Sequence, residues 1–367
     1  LPDGFARNHA EGRQVSFFFN AGFGQSRPTV HRMKSRKPLL LLFGLTAASL
    51  VGAENPAKST AASGAQRKGD AKAAASAPRA PTRADVPYGP HERQVLDFYQ
   101  AKSSRPTPVV FYIHGGGWVA GDKRPVGGLD RYLAAGLSVV AINYRYNTQA
   151  QLAGVMPPVQ WPLNDAARAL QFVRSKAREW NLDKQRIGAT GGSAGACSSL
   201  WLAFHDDMAD PRSRDPVARE STRLWCAAVS GAQTSLDPKQ LKEWTPNSRY
   251  GGHAFGFMPD PKDNRTRDTQ FAAFLEARES VLPWIKAYSP YEHVTADDPP
   301  VYLIYSSPPA LGQEQRDPTH TANYGVKLQE KCRAVGVPCE LVYPGAPDVK
   351  HQRIEDYLIA TLKAPRR

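Results

Sequence analysis

The sequence holds only four cysteines among 367 residues and no C-x-x-C pair, which removes zinc-knuckle and thioredoxin-like readings and leaves no metal or redox cofactor implied. No G-x-G-x-x-G opens a helix after a strand, so a dinucleotide site is also excluded. Long apolar runs are scarce. The only one of note, residues 39–53 (LLLLFGLTAASLVGA), falls short of the about 20 residues a membrane helix needs. A basic groove is missing too. The net charge is +13, but most of it sits in the first 83 residues, and residues 84–367 carry only +4. The part able to fold is close to neutral, so no nucleic-acid partner is implied. At 41% hydrophobic and 22% charged residues the chain can build a sizeable core.

The apolar run at 39–53 follows Met33-Lys34-Ser35-Arg36-Lys37 and ends in small residues at Val51 and Ala53. A short basic segment, an apolar stretch and a small-residue exit have the form of a secretory signal peptide, so residues 33–53 are expected to direct export to the periplasm or the extracellular space, with cleavage after Ala53. Met33 is then the expected start, and residues 1–32 an upstream extension. Residues 54–83 are low-complexity Ala, Lys, Ser and Pro and are expected to form a flexible linker, because they hold almost no apolar surface to offset ordering. No stable membrane span is expected once the signal is removed.

Strands and helices are expected to alternate over residues 84–363. Val109–Ile113, Leu137–Ala141, Arg186–Ala189, Trp225–Val229, Val301–Tyr305 and Glu340–Tyr343 are short apolar runs without strict alternation, the mark of buried parallel strands. Helical spacing occupies Asn164–Trp180, Ala194–Phe204, Asn323–Val335 and Arg353–Leu362. Together they predict an α/β fold with a parallel sheet covered on both faces. Residues 233–299, rich in aromatics, Pro and Gly, interrupt the rhythm and read as a cap-like insertion or substrate wall.

Two motifs carry chemistry. Gly191-Gly192-Ser193-Ala194-Gly195 fits G-x-S-x-G between a strand and a helix, where the serine is lifted out of the sheet at a helix N-terminus. Upstream, His114-Gly115-Gly116-Gly117-Trp118 follows a strand directly, and its glycines leave backbone N–H groups free to hold a developing oxyanion. On these two motifs the sequence resembles the α/β-hydrolase superfamily, in particular the HGGG-type esterases related to hormone-sensitive lipase and the bacterial feruloyl-esterase-like enzymes. The resemblance spans about Tyr88 to Leu362. It implies an eight-stranded, mostly parallel sheet flanked by helices and a Ser-His-Asp/Glu triad. Ser193 becomes the nucleophile, the N–H groups of Gly116, Gly117 and Ala194 the oxyanion hole, and His114 a support for the glycine loop. Asn143 stands where the family usually has Asp, a change expected to be structural.

In that fold the triad order is serine, acid, histidine, with the histidine after the last strand. His351, following Leu341-Val342-Tyr343-Pro344-Gly345, is therefore the expected base, and His320, before that strand, its competitor. Asp317 is the preferred acid over Glu314 and Asp348, with an N-cap role beside Pro318 as its structural alternative. Asp165 reads as structural. The expected activity is an exported serine carboxylesterase acting on a small-molecule ester, with an acylated carbohydrate as one candidate. An inactive scaffold used for binding and a serine peptidase are the alternatives, the first favoured only by the detached acid. Aromatics at Trp244, Tyr250 and Phe255 fit packing better than a substrate wall. Cys332 and Cys339 flank a short turn that would place them close enough for a disulfide.

Overall fold

The computed structural model describes residues 79–263 and 265–365. The extension at 1–32, the signal segment at 33–53 and most of the linker at 54–83 lie outside them. The described chain forms one eight-stranded sheet: β1 (Arg83–Pro87), β2 (Val95–Tyr99), β3 (Thr107–Ile113), β4 (Ser138–Ile142), β5 (Leu182–Gly192), β6 (Cys226–Ser230), β7 (Val301–Ile304) and β8 (Cys339–Val342). Their order across the sheet is β1-β2-β4-β3-β5-β6-β7-β8. β1 and β2 pair antiparallel, as do β2 and β4, and every later pair is parallel.

The parallel strands are buried on both faces because their side chains alternate between two helical layers. Val109, Phe111 and Ile113 of β3 join the larger core, which takes in α3 (Gln160–Ser175), α4 (Ala194–Phe204) and α9 (Asn323–Val335). Val110 points to the other face, with Tyr302 and with Tyr132 of α1 (Leu129–Ala134) and Leu358 of α10 (Ile354–Lys363). The six strands and four helices anticipated from apolar spacing are all present, their ends shifted by a few residues. β1 and β2 escaped notice because they are short and sit at the antiparallel edge.

The interruption between β6 and β7 is helical: α5 (Pro238–Trp244), a single 3-10 turn at Gly252–Phe255, α6 (Arg265–Glu276), α7 (Arg278–Tyr288) and α8 (Pro290–His293). Asp237 starts α5 by accepting from Lys239 N at 2.8 Å, with Pro238 at the first helical position. α2 (Asn147–Leu152) follows β4 on the same side as this segment, and Asn147 Nδ2 donates to His253 O at 3.1 Å. Cys332 and Cys339 are neighbours, as the short turn requires, but they are free thiols and not a disulfide.

Candidate active site

Ser193 stands between the end of β5 and the start of α4 with φ 54° and ψ −125°. A non-glycine residue in this region is strained, and the surroundings must impose it. Two contacts do so. Ser193 N donates to Ser230 O at 3.0 Å, tying the turn to the end of β6. Gly195 lies so close to β3 that a Cβ there would fall 2.1 Å from Ile113 O, so no other residue fits without displacing backbone. The next helix turn then begins at Ala194, whose N–H is among those that α4 cannot satisfy internally.

The glycine loop packs against this turn. A Cβ on Gly115 would approach Ser193 Cβ to 3.4 Å, and Gly116 adopts φ +96°, where a side chain would strike Ala120 O at 2.2 Å. Val119 N and Ala120 N both donate to Gly116 O, which closes the loop (3.0 and 3.1 Å). The N–H groups of Gly116 and Gly117 have no acceptor among the described residues. His114 is buried and turned away from the serine. Its Nδ1 donates to Gly115 O at 2.7 Å, and its ring stacks on Tyr144 at 4.2 Å. Burial holds its pKa down to about 4, with Arg93 adding to the effect, so the ring is neutral and braces the loop. Tyr144 donates its hydroxyl to His114 O and Gly115 O at 2.9 and 3.1 Å.

Ser193 and Asp317 are brought together, but His351 is not with them. The imidazole at Ser193 is that of His320, with Nε2 3.0 Å from Ser193 Oγ and Nδ1 2.9 Å from Asp317 Oδ2. A carboxylate at Nδ1 places the ring proton there and leaves Nε2 free to accept from the serine hydroxyl. Asp317 Oδ1 also accepts Thr319 N and His320 N at 3.1 and 3.2 Å. Partial burial works to raise the Asp317 pKa, but the His320 ring and these N–H groups outweigh it and the carboxyl lies below its ordinary value. The expected order of serine, acid, histidine therefore holds, with both later members in the loop between β7 and α9.

The expectation for His351 is thus corrected, and the cause is visible in β8. Glu340 Oε2 takes His351 Nδ1 at 2.8 Å, while Glu340 Oε1 takes the backbone N–H of Lys350 and of His351 at 3.1 and 2.7 Å. Glu340 pairs across the strands with Tyr302, whose hydroxyl donates to His351 O at 3.1 Å. These bonds hold His351 on the α10 face, with its ring edge-on to Tyr357 at 5.3 Å. Glu314 is exposed and its carboxylate bonds nothing among the described residues. Asp165 is buried and grips Arg145 through both oxygens, with the shortest contact at 2.6 Å, so it is structural. Asn143 is structural as well, accepting from Lys123 N at 2.7 Å and donating to Asp122 at 2.8 Å.

Sequence reasoning missed Gln233. Its buried Nε2 donates to Gly231 O at 3.1 Å and to Thr319 O at 2.8 Å, joining the end of β6 to the turn that carries His320. Nothing in the local sequence marks it, since its role depends on two segments 86 residues apart. His320 was in view only as a competitor; the signal that favours it is Asp-x-x-His within one turn. Two hollows adjoin the site. One, about 520 Å3, is lined by Ser193, His320, Asp317, Ser230 and Tyr305. The other, about 840 Å3, lies between the glycine loop, α2 and the helical insertion. Trp244, Tyr250 and Phe255 all pack in the core, and Tyr250 and His253 also line the larger hollow. Among the described residues no cluster of three or more metal-ligating side chains is present. No helix among them is long and apolar enough to cross a membrane.

Comparison with known proteins agrees with this architecture. A family model described as BD-FAE matches residues 96–310. Gut esterase 1 of Caenorhabditis elegans is 30% identical over 162 residues, which is 42% of this chain and 28% of that protein. A Mycobacterium tuberculosis protein named "Probable carboxylic ester hydrolase LipM" is 28% identical over 236 residues, 60% of this chain and 46% of its own length. The chain therefore spans less than half the length of either relative. Among solved structures, a truncated carbohydrate esterase from gut microbiota superposes with a TM-score of 0.55 at 18% identity, over 77% of this chain and 96% of that one. The last likeness is one of fold.

Proposed function

The chain belongs to the BD-FAE family, and from that premise we propose that it is an exported serine carboxylesterase that cleaves a small-molecule ester through an acyl-enzyme. The observation that carries the reading is the double engagement of His320, with Ser193 at one ring nitrogen and Asp317 at the other. The esterase names of the relatives support the reaction class. A carbohydrate-esterase neighbour of the same fold makes an acylated carbohydrate one candidate within it. Export rests on the signal-like segment at 33–53. The alternative of a scaffold without chemistry had only a detached acid in its favour, and Asp317 is bonded to the histidine.

His320 Nε2 accepts the Ser193 hydroxyl proton as Oγ bonds to the ester carbonyl carbon. The carbonyl oxygen takes the electron pair and is held by the N–H groups of Gly116, Gly117 and Ala194. Asp317 stabilises the imidazolium. Collapse breaks the bond to the alcohol oxygen, which leaves with the proton from His320. Water then gives a proton to Nε2 and its hydroxide attacks the acyl carbon. Ser193 Oγ departs, reprotonated by His320, and the acid is released. No metal or organic cofactor enters these steps.

Ser193→Ala should lower turnover by on the order of a millionfold while leaving the fold intact. A fluorophosphonate should label Ser193 in the parent protein. Labelling that persists in the alanine variant would sink the assignment.

A further inference from the structure

The larger hollow, about 840 Å3, is lined by Gly117 and Val119 and so borders the glycine loop whose N–H groups are read as the oxyanion hole. Its walls include the rings of Phe257 and Phe271, and its rim includes Val119 and Leu152, 39% and 90% exposed. Large apolar side chains left in water around a concave apolar wall mark a surface that a ligand covers. A cavity of this size far exceeds what an acetyl group fills.

The charges in the lining are of one sign. Arg249 and Arg267 contribute to it and no carboxylate does. Arg249 is already engaged, donating to Asp268 at 2.8 Å and lying over the Phe271 ring at 5.7 Å. The Arg267 side chain is exposed and makes no hydrogen bond or ion pair among the described residues. Between them and the glycine loop sits His253, whose imidazole is within 3.7 Å of where a Gly117 Cβ would stand. Its pKa is held down to about 4, by burial first and by Arg267 second, so it supplies neither positive nor negative charge near neutral pH. The cavity thus joins an apolar body to one unneutralised cation at its edge.

We propose that this cavity holds the non-reacting arm of the ester, and that the preferred arm is bulky and apolar with an anionic terminus paired to Arg267. The proposal rests on the esterase reading and names the substrate class for the same site. An arm with a cationic end would meet Arg267 and Arg249 unfavourably, and a short arm would leave the aromatic walls wet.

Two matched pairs test it, because the cavity could receive either side of the ester. In the first, the mono-nitrophenyl ester of octanedioic acid is compared with nitrophenyl octanoate, placing carboxylate against methyl on the acyl side. In the second, 4-carboxybenzyl acetate is compared with 4-methylbenzyl acetate, placing them on the alcohol side. In at least one pair the kcat/KM ratio of anionic to neutral ester should fall about two- to five-fold in Arg267→Gln, the range for one partly solvated ion pair. The parent's preference should also shrink as salt is raised. Leu152→Asp, at a position 90% exposed and therefore safe for folding, should lower the preference for nitrophenyl octanoate over nitrophenyl acetate. Parent activity with a ratio unchanged by Arg267→Gln in both pairs overturns the proposal and leaves the esterase reading standing. A parent protein inert toward every one of these esters overturns both.

Discussion

Replacing each histidine in turn separates the two candidate bases. In His320→Ala the acceptor 3.0 Å from Ser193 Oγ disappears, and Asp317 Oδ2 loses its ring partner. Nothing else described lies in reach to take the serine proton. Members of such a triad act as a unit, so turnover should fall by on the order of 10⁶, equivalent to about 8 kcal/mol of transition-state stabilisation. In His351→Ala the loss is one ring contact to Glu340 at 2.8 Å and the edge-on contact to Tyr357. The backbone N–H groups of residues 350 and 351 still reach Glu340 in an alanine variant, so the loop stays in place. The cost there should be about 1–3 kcal/mol of stability, with turnover changed by about twofold or less. The assay is kcat on nitrophenyl acetate for the two purified variants, with thermal unfolding followed by circular dichroism to show that each is folded. A folded His351→Ala variant without activity, beside a His320→Ala variant of near-normal turnover, would refute the placement of the base.

Asp317→Asn should lower turnover by about 10⁴-fold, because an amide can no longer hold the Nδ1 proton in place, while KM moves little; steady-state kinetics on one ester checks it. The same carboxyl lies below its ordinary pKa in the fold, so the stability it contributes is complete above the ordinary carboxylate range and is lost as pH falls through the lowered value. His114 acts in the same direction over a higher range. Its folded pKa of about 4 lies below the unfolded value near 6.5, so between these the unfolded chain binds a proton the fold does not. Stability should therefore decline by up to about 3 kcal/mol as pH drops from about 6.5 to 4, and urea midpoints for His114→Gln should show a shallower decline. Gln233→Ala removes both bonds that tie Gly231 to Thr319. It should reduce kcat by about 10²-fold through misplacement of His320, with KM little changed and fluorophosphonate labelling slowed in parallel; an equal loss in KM and kcat/KM with normal labelling would assign it to packing alone.

The strands and helices that carry the sheet were legible because burial on both faces demands uninterrupted apolar runs, as at Val109–Ile113. Ser193 and the glycine loop were legible for a different reason. Their glycines are forced by neighbouring backbone, since an added Cβ would fall 2.1 Å from it at Gly195 and 2.2 Å at Gly116, and steric necessity leaves a readable mark in sequence. Polar partners chosen over long separations leave none. Glu340 reads as an ordinary strand residue, yet its carboxylate decides where His351 goes. Gln233 likewise reads as a loop residue until Thr319 is seen beside it.

The placement of His320 follows from how few residues it takes to build the acid–base pair. Asp317, Pro318, Thr319 and His320 form one turn, closed by two backbone N–H bonds to Asp317 Oδ1 and one ring bond to Oδ2. Pro318 restricts the turn from within. The distance between acid and base is therefore local, and does not depend on two loops arriving together from different strands. What remains long-range is the approach of that turn to the serine, and it has two supports. Gln233 bonds Thr319 to the end of β6, and Gly231 leaves room for the imidazole, since a Cβ there would lie 3.3 Å from His320 Cβ. β6 in turn holds Ser193 through Ser230 O. Ser193, His320 and Asp317 are all referred to one strand end. With the base supplied ahead of β8, the loop after that four-residue strand has no need to return to the carboxyl edge of the sheet. It is free to fold back onto Glu340, which is the position His351 occupies.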